Sequence, residues 1–215
     1  MTEILSIYHR LQEHYRIAGW WPAQDPFEVA VGAFLTQNTN WHNVEKALAN
    51  LRAARALDSA VLATMPRREL EPLIRPSGFF RQKSERLQLF CQHLLQHHGG
   101  CIEQLLRQDL AVARAELLNL RGIGQETADS ILLYGGEHLS FVVDSYTRRL
   151  FGRLGLLSGN ESYDRIRAMF MAAVPPELDL YRGYHGLIVS HCKARCRKTP
   201  QCRGCPCVEI CRYAA

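Results

Sequence analysis

Residues 113–134, ARAELLNLRGIGQETADSILLY, contain the pattern that decides the fold. A helical segment ends at Leu120, and the glycines of Gly122-Ile123-Gly124 predict a tight turn before a second helix. Apolar residues recur in that second helix at helical spacing, and we expect them to face inward: Ala128, Ile131 and Leu132. The segment is therefore predicted to form a helix-hairpin-helix.

The chemistry of this hairpin suits an anion. Gly122 and Gly124 allow backbone conformations closed to other residues, and they let a phosphate approach closely. The N–H groups at the start of the second helix would face the phosphate. Such a hairpin holds DNA without reading its sequence. An ordinary glycine-capped helix turn is the structural alternative, but the fit of the whole hairpin favours DNA binding.

The rest of the chain indicates an all-α protein. Of its 215 residues, 47% are hydrophobic, which is enough to fill a core, and no segment shows a sustained period of two. Breaks at proline and glycine separate about ten predicted helices, including one break over residues 72–78. Apolar faces at helical spacing include the set Leu87, Phe90, Cys91, Leu94 and Leu95.

Charge and cysteine content indicate the partner and the compartment. The net charge is +5, and residues 181–215 hold seven Lys or Arg against Glu209 alone. This segment suits a polyanion, although a solvated basic tail is also possible. No signal peptide or membrane span is recognised, so a cytoplasmic, nucleoid-associated protein without membrane contact is expected. Six of the eight cysteines fall within residues 192–211, which in a reducing compartment indicates a metal.

A single carboxylate follows an apolar run at Phe141-Val142-Val143-Asp144. Placed at the floor of a cleft, a partly buried Asp144 could stabilise the positive charge that develops on a deoxyribose as its base departs. The structural alternative is that Asp144 is the N-cap of a helix over residues 146–150. Both roles are compatible.

The order of hairpin, Val-Asp and terminal cysteines resembles the endonuclease III branch of the helix-hairpin-helix DNA glycosylases, over Trp20 to Cys211. The resemblance implies two helical domains with a DNA-binding cleft between them. A six-helix barrel would span residues 23–138, and a cluster domain would combine residues 1–22 and 139–215. It also implies that Asp144 is the catalytic aspartate. Gln37 would fill the gap left by a flipped nucleotide, unless it merely caps a helix end.

The cysteines Cys196, Cys202, Cys205 and Cys211 have the spacing C-x5-C-x2-C-x5-C. This spacing resembles the cluster loop of the family, with a first gap one residue shorter, and implies a [4Fe-4S] cluster. A four-cysteine zinc site is the competing interpretation. Cys192 and Cys207 are spare thiols, and Cys192 could replace Cys196 as a ligand. As in the family, Arg197 and Lys198 of this loop would present cations to DNA.

One position departs from the family prototype. Endonuclease III has a lysine two residues after the last hairpin glycine, and its amine attacks the sugar and cuts the strand. Glu126 occupies the matching position here, and a carboxylate cannot form a Schiff base. The departure favours a monofunctional glycosylase in which Glu126 lies at the base pocket. The alternative is a first-turn acid that stabilises the helix dipole.

A second set of residues indicates the damaged base. Trp20, Trp21 and Pro22, followed by residues 31–41, resemble the 3-methyladenine glycosylases of the endonuclease III type, in which the tryptophan pair and the proline line the base pocket. A cationic N-alkylated purine is attracted to aromatic faces by about 0.5 to 2 kcal/mol. Two core tryptophans are the alternative. Lys193 could also reach the pocket, or could be a solvated lysine.

These observations predict a monomeric DNA glycosylase that acts on double-stranded DNA containing a damaged base. The predicted substrate is an alkylated purine such as 3-methyladenine. One alternative is a bifunctional glycosylase and abasic-site lyase for oxidised pyrimidines, with a lysine such as Lys193 as the nucleophile. Another is a non-catalytic DNA-binding module with a structural metal site.

Overall fold

The computed structural model describes residues 2–16, 21, 23 and 25–214. In these residues the protein is all-helical and has no strand, which confirms the predicted fold class. The chain divides into two compact units, Ala23–His138 and the combination of Met1–Pro22 with Leu139–Ala215. The assignment of these units as a six-helix barrel and a cluster domain stays a prediction.

Twelve α-helices occur in the described part of the chain, against the ten or so predicted, and several of the twelve are very short. They are α1 (Glu3–His14), α2 (Pro26–Thr36), α3 (Trp41–Ala53), α4 (Ser59–Thr64), α5 (Arg67–Ile74), α6 (Phe80–His98), α7 (Ile102–Leu106), α8 (Leu110–Asn119), α9 (Gln125–Ser130), α10 (Ser145–Leu154), α11 (Tyr163–Ala173) and α12 (Leu178–Ala194). A π-helical turn, Ile131–Gly135, continues α9. None of these helices has the length and apolar character needed to cross a membrane.

Short polar side chains fix where many helices begin. In six helices the N-cap oxygen accepts a hydrogen bond from a backbone N–H of the first turn, which satisfies a donor that has no partner within the helix. These N-caps are Thr2, Asp25, Asn40, Asp58, Asp144 and Ser162. Gly99 and Gly155 end α6 and α10 in the left-handed conformation.

Two details of the predicted helices are wrong. Pro72 does not break the chain but lies inside α5, which ends only at Ile74 and is followed by a 3-10 turn over Arg75–Ser77. Leu95 is 37% exposed, although Leu87, Phe90, Cys91 and Leu94 of the same predicted face are buried. Leu95 is turned about 100° around the helix axis from Leu94, which places it at the edge of the buried face.

The core of the unit Ala23–His138 is built around α2 and α6. Phe34 of α2 and Phe90 of α6 are buried, with ring centroids 5.2 Å apart. Lys83 of α6 is also buried, and its ammonium donates to the carbonyls of Leu35 and Ser77 at 2.8 and 2.7 Å. The lysine therefore satisfies a C-terminal carbonyl of α2 that the helix cannot satisfy itself.

The other unit has an aromatic core. The rings of Phe141 and Phe170 stack at 4.3 Å, and Phe151 meets Phe170 edge to face. Tyr184 of α12 is fully buried and donates its hydroxyl to the carbonyl of Ile4 in α1. The N-terminal helix is therefore fastened to α12, although about 180 residues separate them in sequence.

Candidate functional site

The predicted hairpin is formed by α8, the turn Leu120–Gly124 and α9. Leu120 is the C-cap of α8, and Ile123 is buried beneath the turn. Gly122 has a φ of +94°, in the left-handed region that favours glycine. A Cβ added to Gly122 would lie 2.3 Å from Cδ of Arg86, a flexible side chain that can move aside, so the requirement for glycine comes from the backbone conformation.

Gly124 differs from Gly122 and corrects one expectation. Its φ of −92° and ψ of 176° are extended backbone that any residue adopts, so its conformation does not require glycine. A Cβ added to Gly124 would meet no atom within 4 Å, which means that the surface beside it is open. The backbone conformation therefore does not explain the glycine, and close approach of a phosphate to Gly124 stays a prediction.

An ion pair holds the two helices of the hairpin together. Arg114 of α8 donates to both carboxylate oxygens of Asp129 in α9, with Nε–Oδ1 and Nη2–Oδ2 distances of 2.9 and 3.1 Å. Asp129 is completely buried and Arg114 is largely so. A buried bidentate pair fixes orientation as well as distance, so the hairpin has a defined shape before it meets a ligand.

Gln37 is the C-cap of α2, and its side chain reaches the hairpin. Its amide nitrogen donates to the carbonyl of Gly122 at 2.9 Å and to Oγ1 of Thr127 at 3.1 Å. In this conformation Gln37 lies at the end of a helix and hydrogen-bonds to the hairpin, as the structural alternative expects. Filling the gap of a flipped nucleotide stays a prediction, and it would require Gln37 to give up these two hydrogen bonds.

Glu126 lies in the first turn of α9 and is exposed. An acid in this position interacts favourably with the positive end of the helix dipole, as the structural alternative expected. Its place at a base pocket stays a prediction.

Asp144 is the N-cap of α10, which confirms the structural role predicted for it. Its Oδ1 accepts hydrogen bonds from the backbone N–H of Thr147 at 2.7 Å and from the Thr147 hydroxyl at 2.9 Å. The cap closes reciprocally, because Oγ1 of Thr147 also accepts from the Asp144 backbone N–H. One oxygen of a buried carboxylate is thereby held in place.

The second oxygen of Asp144 has a partner that sequence reasoning missed. Nε2 of His185, in α12, lies 3.5 Å from Oδ2 of Asp144, and both side chains are buried. Burial alone would raise the pKa of Asp144, but His185 and the hydrogen bonds from Thr147 lower it below its usual value. Asp144 is therefore a carboxylate anion at neutral pH. Nothing in sequence spacing could pair residues 144 and 185, because tertiary packing brings them together.

The cysteines predicted as ligands line one open cavity. Cys196, Cys202, Cys205 and Cys211 all contribute to its wall, and so does Cys207. Cys192 is not part of the lining; its thiol is buried and donates to the carbonyl of Tyr146 at 3.6 Å. The cavity thus supports Cys196 over Cys192 as a ligand.

Positive side chains surround Cys196. Nη1 of Arg153 lies 3.2 Å from Sγ of Cys196, and Nε of Arg149 donates to its carbonyl at 2.8 Å. The neighbouring Cys192 side chain lowers the pKa of Cys196, and Arg153 adds to the effect against the opposing effect of burial. A thiol so placed favours the thiolate form that binds metals.

The sequence leaves two metal interpretations for the cysteines, an iron-sulfur cluster and a zinc ion. In the described residues, the only group of three or more potential ligand atoms that lie mutually within 4.8 Å is His93, His98 and Glu116. The choice between iron and zinc at the cysteines stays a prediction.

The other predicted site residues are less defined. Trp20 and Pro22 lie outside the described residues, and Trp21 is half-buried. Lys193, Arg197 and Lys198 are exposed. The backbone carbonyls of Arg197 and Lys198 accept hydrogen bonds from the Arg153 guanidinium at 2.6 and 2.9 Å, which fixes the backbone of this loop and leaves its side chains at the surface.

Comparisons with known proteins agree with this architecture. The sequence profile of the HhH-GPD superfamily of base excision DNA repair proteins matches residues 31–176. A Methanocaldococcus jannaschii protein assigned by name to the DNA repair glycosylases is 44% identical over 209 residues, or 97% of this chain and 95% of that protein. Endonuclease III of Thermotoga maritima is 29% identical and covers 88% of this chain and 84% of its own length.

The solved structure of the Helicobacter pylori 3-methyladenine DNA glycosylase bound to 1,N6-ethenoadenine is also similar. Its TM-score is 0.79 at 28% identity, over 89% of this chain and 98% of that one. An endonuclease III–DNA covalent intermediate has a TM-score of 0.82 at 23% identity, which shows the shared fold. With the profile, the relatives and the helix-hairpin-helix in agreement, the chain belongs to the HhH-GPD superfamily of base excision DNA repair proteins and is a DNA glycosylase of the endonuclease III type.

Proposed function

We propose that this glycosylase is monofunctional and releases a cationic, alkylated purine such as 3-methyladenine from double-stranded DNA. The observation that carries the proposal is the state of Asp144. It is a buried anion with one oxygen held by Thr147 and the other beside His185. A carboxylate held in this way can stabilise positive charge without first reorganising its surroundings.

The proposed reaction breaks the bond between the sugar C1′ and the base nitrogen. The bonding electrons go to the departing base and neutralise its positive charge, so the base needs no proton from the protein. Positive charge develops on the sugar ring, where the carboxylate of Asp144 stabilises it. Water then adds to C1′ and releases a proton to solvent, which leaves an intact abasic site.

The pKa of Asp144 supports this role over general acid catalysis. A general acid must hold a proton near neutral pH, as buried catalytic carboxyl groups with raised pKa values do. The contacts of Asp144 lower its pKa instead. Asp144 is therefore suited to charge stabilisation, and this role fits bases that leave readily on their own.

The residue at the family's lysine position supports a hydrolytic enzyme. Lyase chemistry needs an amine that attacks C1′ and forms a Schiff base, and Glu126 has none. Lys193 is exposed at the end of α12 and remains the alternative nucleophile if strand cleavage is found. The two chemistries leave different products, so a single assay separates them.

Aromatic residues support the choice of base. Trp21, with Trp20 and Pro22, would provide ring faces that attract a cationic purine by about 0.5 to 2 kcal/mol. The Helicobacter pylori relative is described as a 3-methyladenine glycosylase with a modified adenine bound. Phosphates would be held by the Gly122–Gly124 turn and by Arg197 and Lys198, without contacts to base edges.

We infer that Cys196, Cys202, Cys205 and Cys211 hold a [4Fe-4S] cluster. The shared cavity supports this ligand set. When bound, the cluster would cross-link a loop that contains few apolar residues, and base removal itself requires no electron transfer. Arg149 and Arg153 hold the backbone of the same loop by hydrogen bonds.

The test is incubation of the purified protein with duplexes that each contain one lesion. Release of 3-methyladenine, with strands that break only after alkali, is the expected result. Borohydride should trap no covalent complex. Strand cleavage in the absence of alkali would instead support the bifunctional lyase. A covalent complex trapped by borohydride would support it as well. Release of no base from any alkylated or oxidised duplex would favour the binding module.

A further inference from the structure

A second cluster of metal-binding side chains belongs to the unit Ala23–His138, whereas the cysteine cavity belongs to the other unit. His93 and His98 belong to α6, and Glu116 belongs to α8. The Nε2 atoms of the two histidines lie 2.7 and 2.5 Å from the same carboxylate oxygen, Oε1 of Glu116. One ligand atom from each residue lies within 4.8 Å of the other two.

The surroundings of this cluster orient its ligands. The side chains of His93, His98 and Glu116 are only 20, 11 and 22% exposed, so the donor atoms are shielded without being sealed off. Gln108 donates its amide hydrogen to the other carboxylate oxygen, Oε2, at 2.6 Å. This contact has the form of the outer hydrogen bond that commonly orients a carboxylate ligand on a metal.

We propose that His93, His98 and Glu116 form a binding site for a divalent transition metal of the zinc class. Two imidazoles and one carboxylate are a common three-residue zinc set, with water in the remaining position. In tetrahedral coordination, with bonds of about 2.0 to 2.1 Å, the ligand atoms would lie about 3.3 Å apart. The present separations would have to open by less than about 1 Å, which small side-chain rotations supply.

The site would join α6 to a helix of the hairpin that is predicted to bind DNA. α8 is the first helix of the hairpin, and it also contains Arg114, which pairs with Asp129 of α9. A metal held by both helices would fix α8 against the C-terminal end of α6. This is a structural site, separate from the cysteine cavity and from the proposed chemistry at Asp144.

The test is titration of the purified full-length protein with zinc ions, followed by calorimetry and thermal unfolding. The cysteines also bind zinc, so the comparison of variants decides the result. Wild type should bind one zinc equivalent that His98→Gln and Glu116→Gln both lose. His42→Gln and Cys101→Ser, which remove an exposed histidine and a nearby thiol, should retain it. Gln108→Ala should weaken binding about 10- to 100-fold.

X-ray absorption at the zinc edge gives a second readout that does not depend on the variants. Wild type should contain zinc coordinated by nitrogen and oxygen, with imidazole scattering, and zinc should raise its unfolding temperature. Zinc bound only by sulfur or an unchanged unfolding temperature would overturn the proposal. So would zinc binding by Glu116→Gln and His98→Gln that equals the binding by wild type. Base release plays no part in this test, so its outcome is independent of the proposed glycosylase reaction.

Discussion

Oδ2 of Asp144 lies 3.5 Å from Nε2 of His185, while Oδ1 of the same carboxylate caps α10 through Thr147. The two oxygens thus have separate partners, and the side chain cannot rotate without breaking the helix cap. Capping and catalysis are consequently not alternatives for this residue. The cap is the means by which the charge is fixed in position.

Replacing Asp144 by Asn should lower single-turnover release of 3-methyladenine by about two or more orders of magnitude, because the charge that stabilises the sugar cation is lost. Asn is also a good N-cap, so folding and DNA binding should survive. Binding is measured by fluorescence anisotropy with an undamaged duplex. Asp164→Asn, at an exposed acid in the first turn of α11, is the matched control and should keep full activity. Full activity in Asp144→Asn would refute the assigned role.

Replacing His185 by Gln should raise the pKa of Asp144, because His185 is its strongest stabilising partner. In wild type the lowered pKa keeps the carboxylate ionised from neutral pH down to below its usual value of 3.8. The acid limb of the pH–rate profile should therefore lie below pH 3.8 in wild type and move upward in His185→Gln. Release rates are measured in single turnover and corrected for spontaneous loss of the base. Acid limbs that coincide would show that His185 does not tune Asp144.

Replacing Glu126 by Lys should add lyase chemistry. The new amine would stand at the position where the family prototype has its nucleophile, and it would form a Schiff base that borohydride can trap. Trapping is scored on denaturing gels for wild type, Glu126→Lys and Glu126→Gln. Only the lysine variant should give a covalent complex. A complex in wild type would point to Lys193 or another native amine.

The sequence predicts local features of this protein well, because local features follow from local chemistry. Glycine, aspartate and apolar spacing predict the hairpin, the helix cap at Asp144 and the all-helical fold. They do not predict contacts between distant segments. His185 lies 41 residues from Asp144, and Glu116 lies 18 residues beyond His98. Neither contact produces a periodic pattern in the sequence. Gly124 shows the same limit, since its sequence context could not tell extended backbone from left-handed.

The buried Lys83 predicts how stability depends on pH. Burial lowers its pKa from 10.5 to about 8, so between these values the unfolded state holds a proton that the folded state does not. The stability of wild type relative to Lys83→Met should therefore rise with pH from about 8 to 10.5. Urea unfolding measures this difference at each pH. The exposed Lys46→Met serves as the control, and a flat difference for Lys83→Met would contradict the assignment.

The proposed cluster predicts the metal content of the protein. Purified wild type should contain about four iron and four sulfide per chain. Cys202→Ser and Cys205→Ser should lose both, whereas Cys192→Ser should keep them because Cys192 is not part of the cavity wall. Zinc at the cysteines without iron would refute the cluster. If Cys192→Ser lost iron and Cys196→Ser kept it, Cys192 would be the ligand and Cys196 the spare thiol.

α10 connects the cysteine loop to Asp144 mechanically. Its ten residues form a rod about 15 Å long. Asp144 is fixed at one end, and Arg149 in the middle and Arg153 near the other end donate hydrogen bonds to the loop. A loop that lost its shape would release both arginines and so remove a constraint on the helix that begins at Asp144. We therefore expect oxidative or proteolytic damage to the loop to lower base release without any change at Asp144 itself.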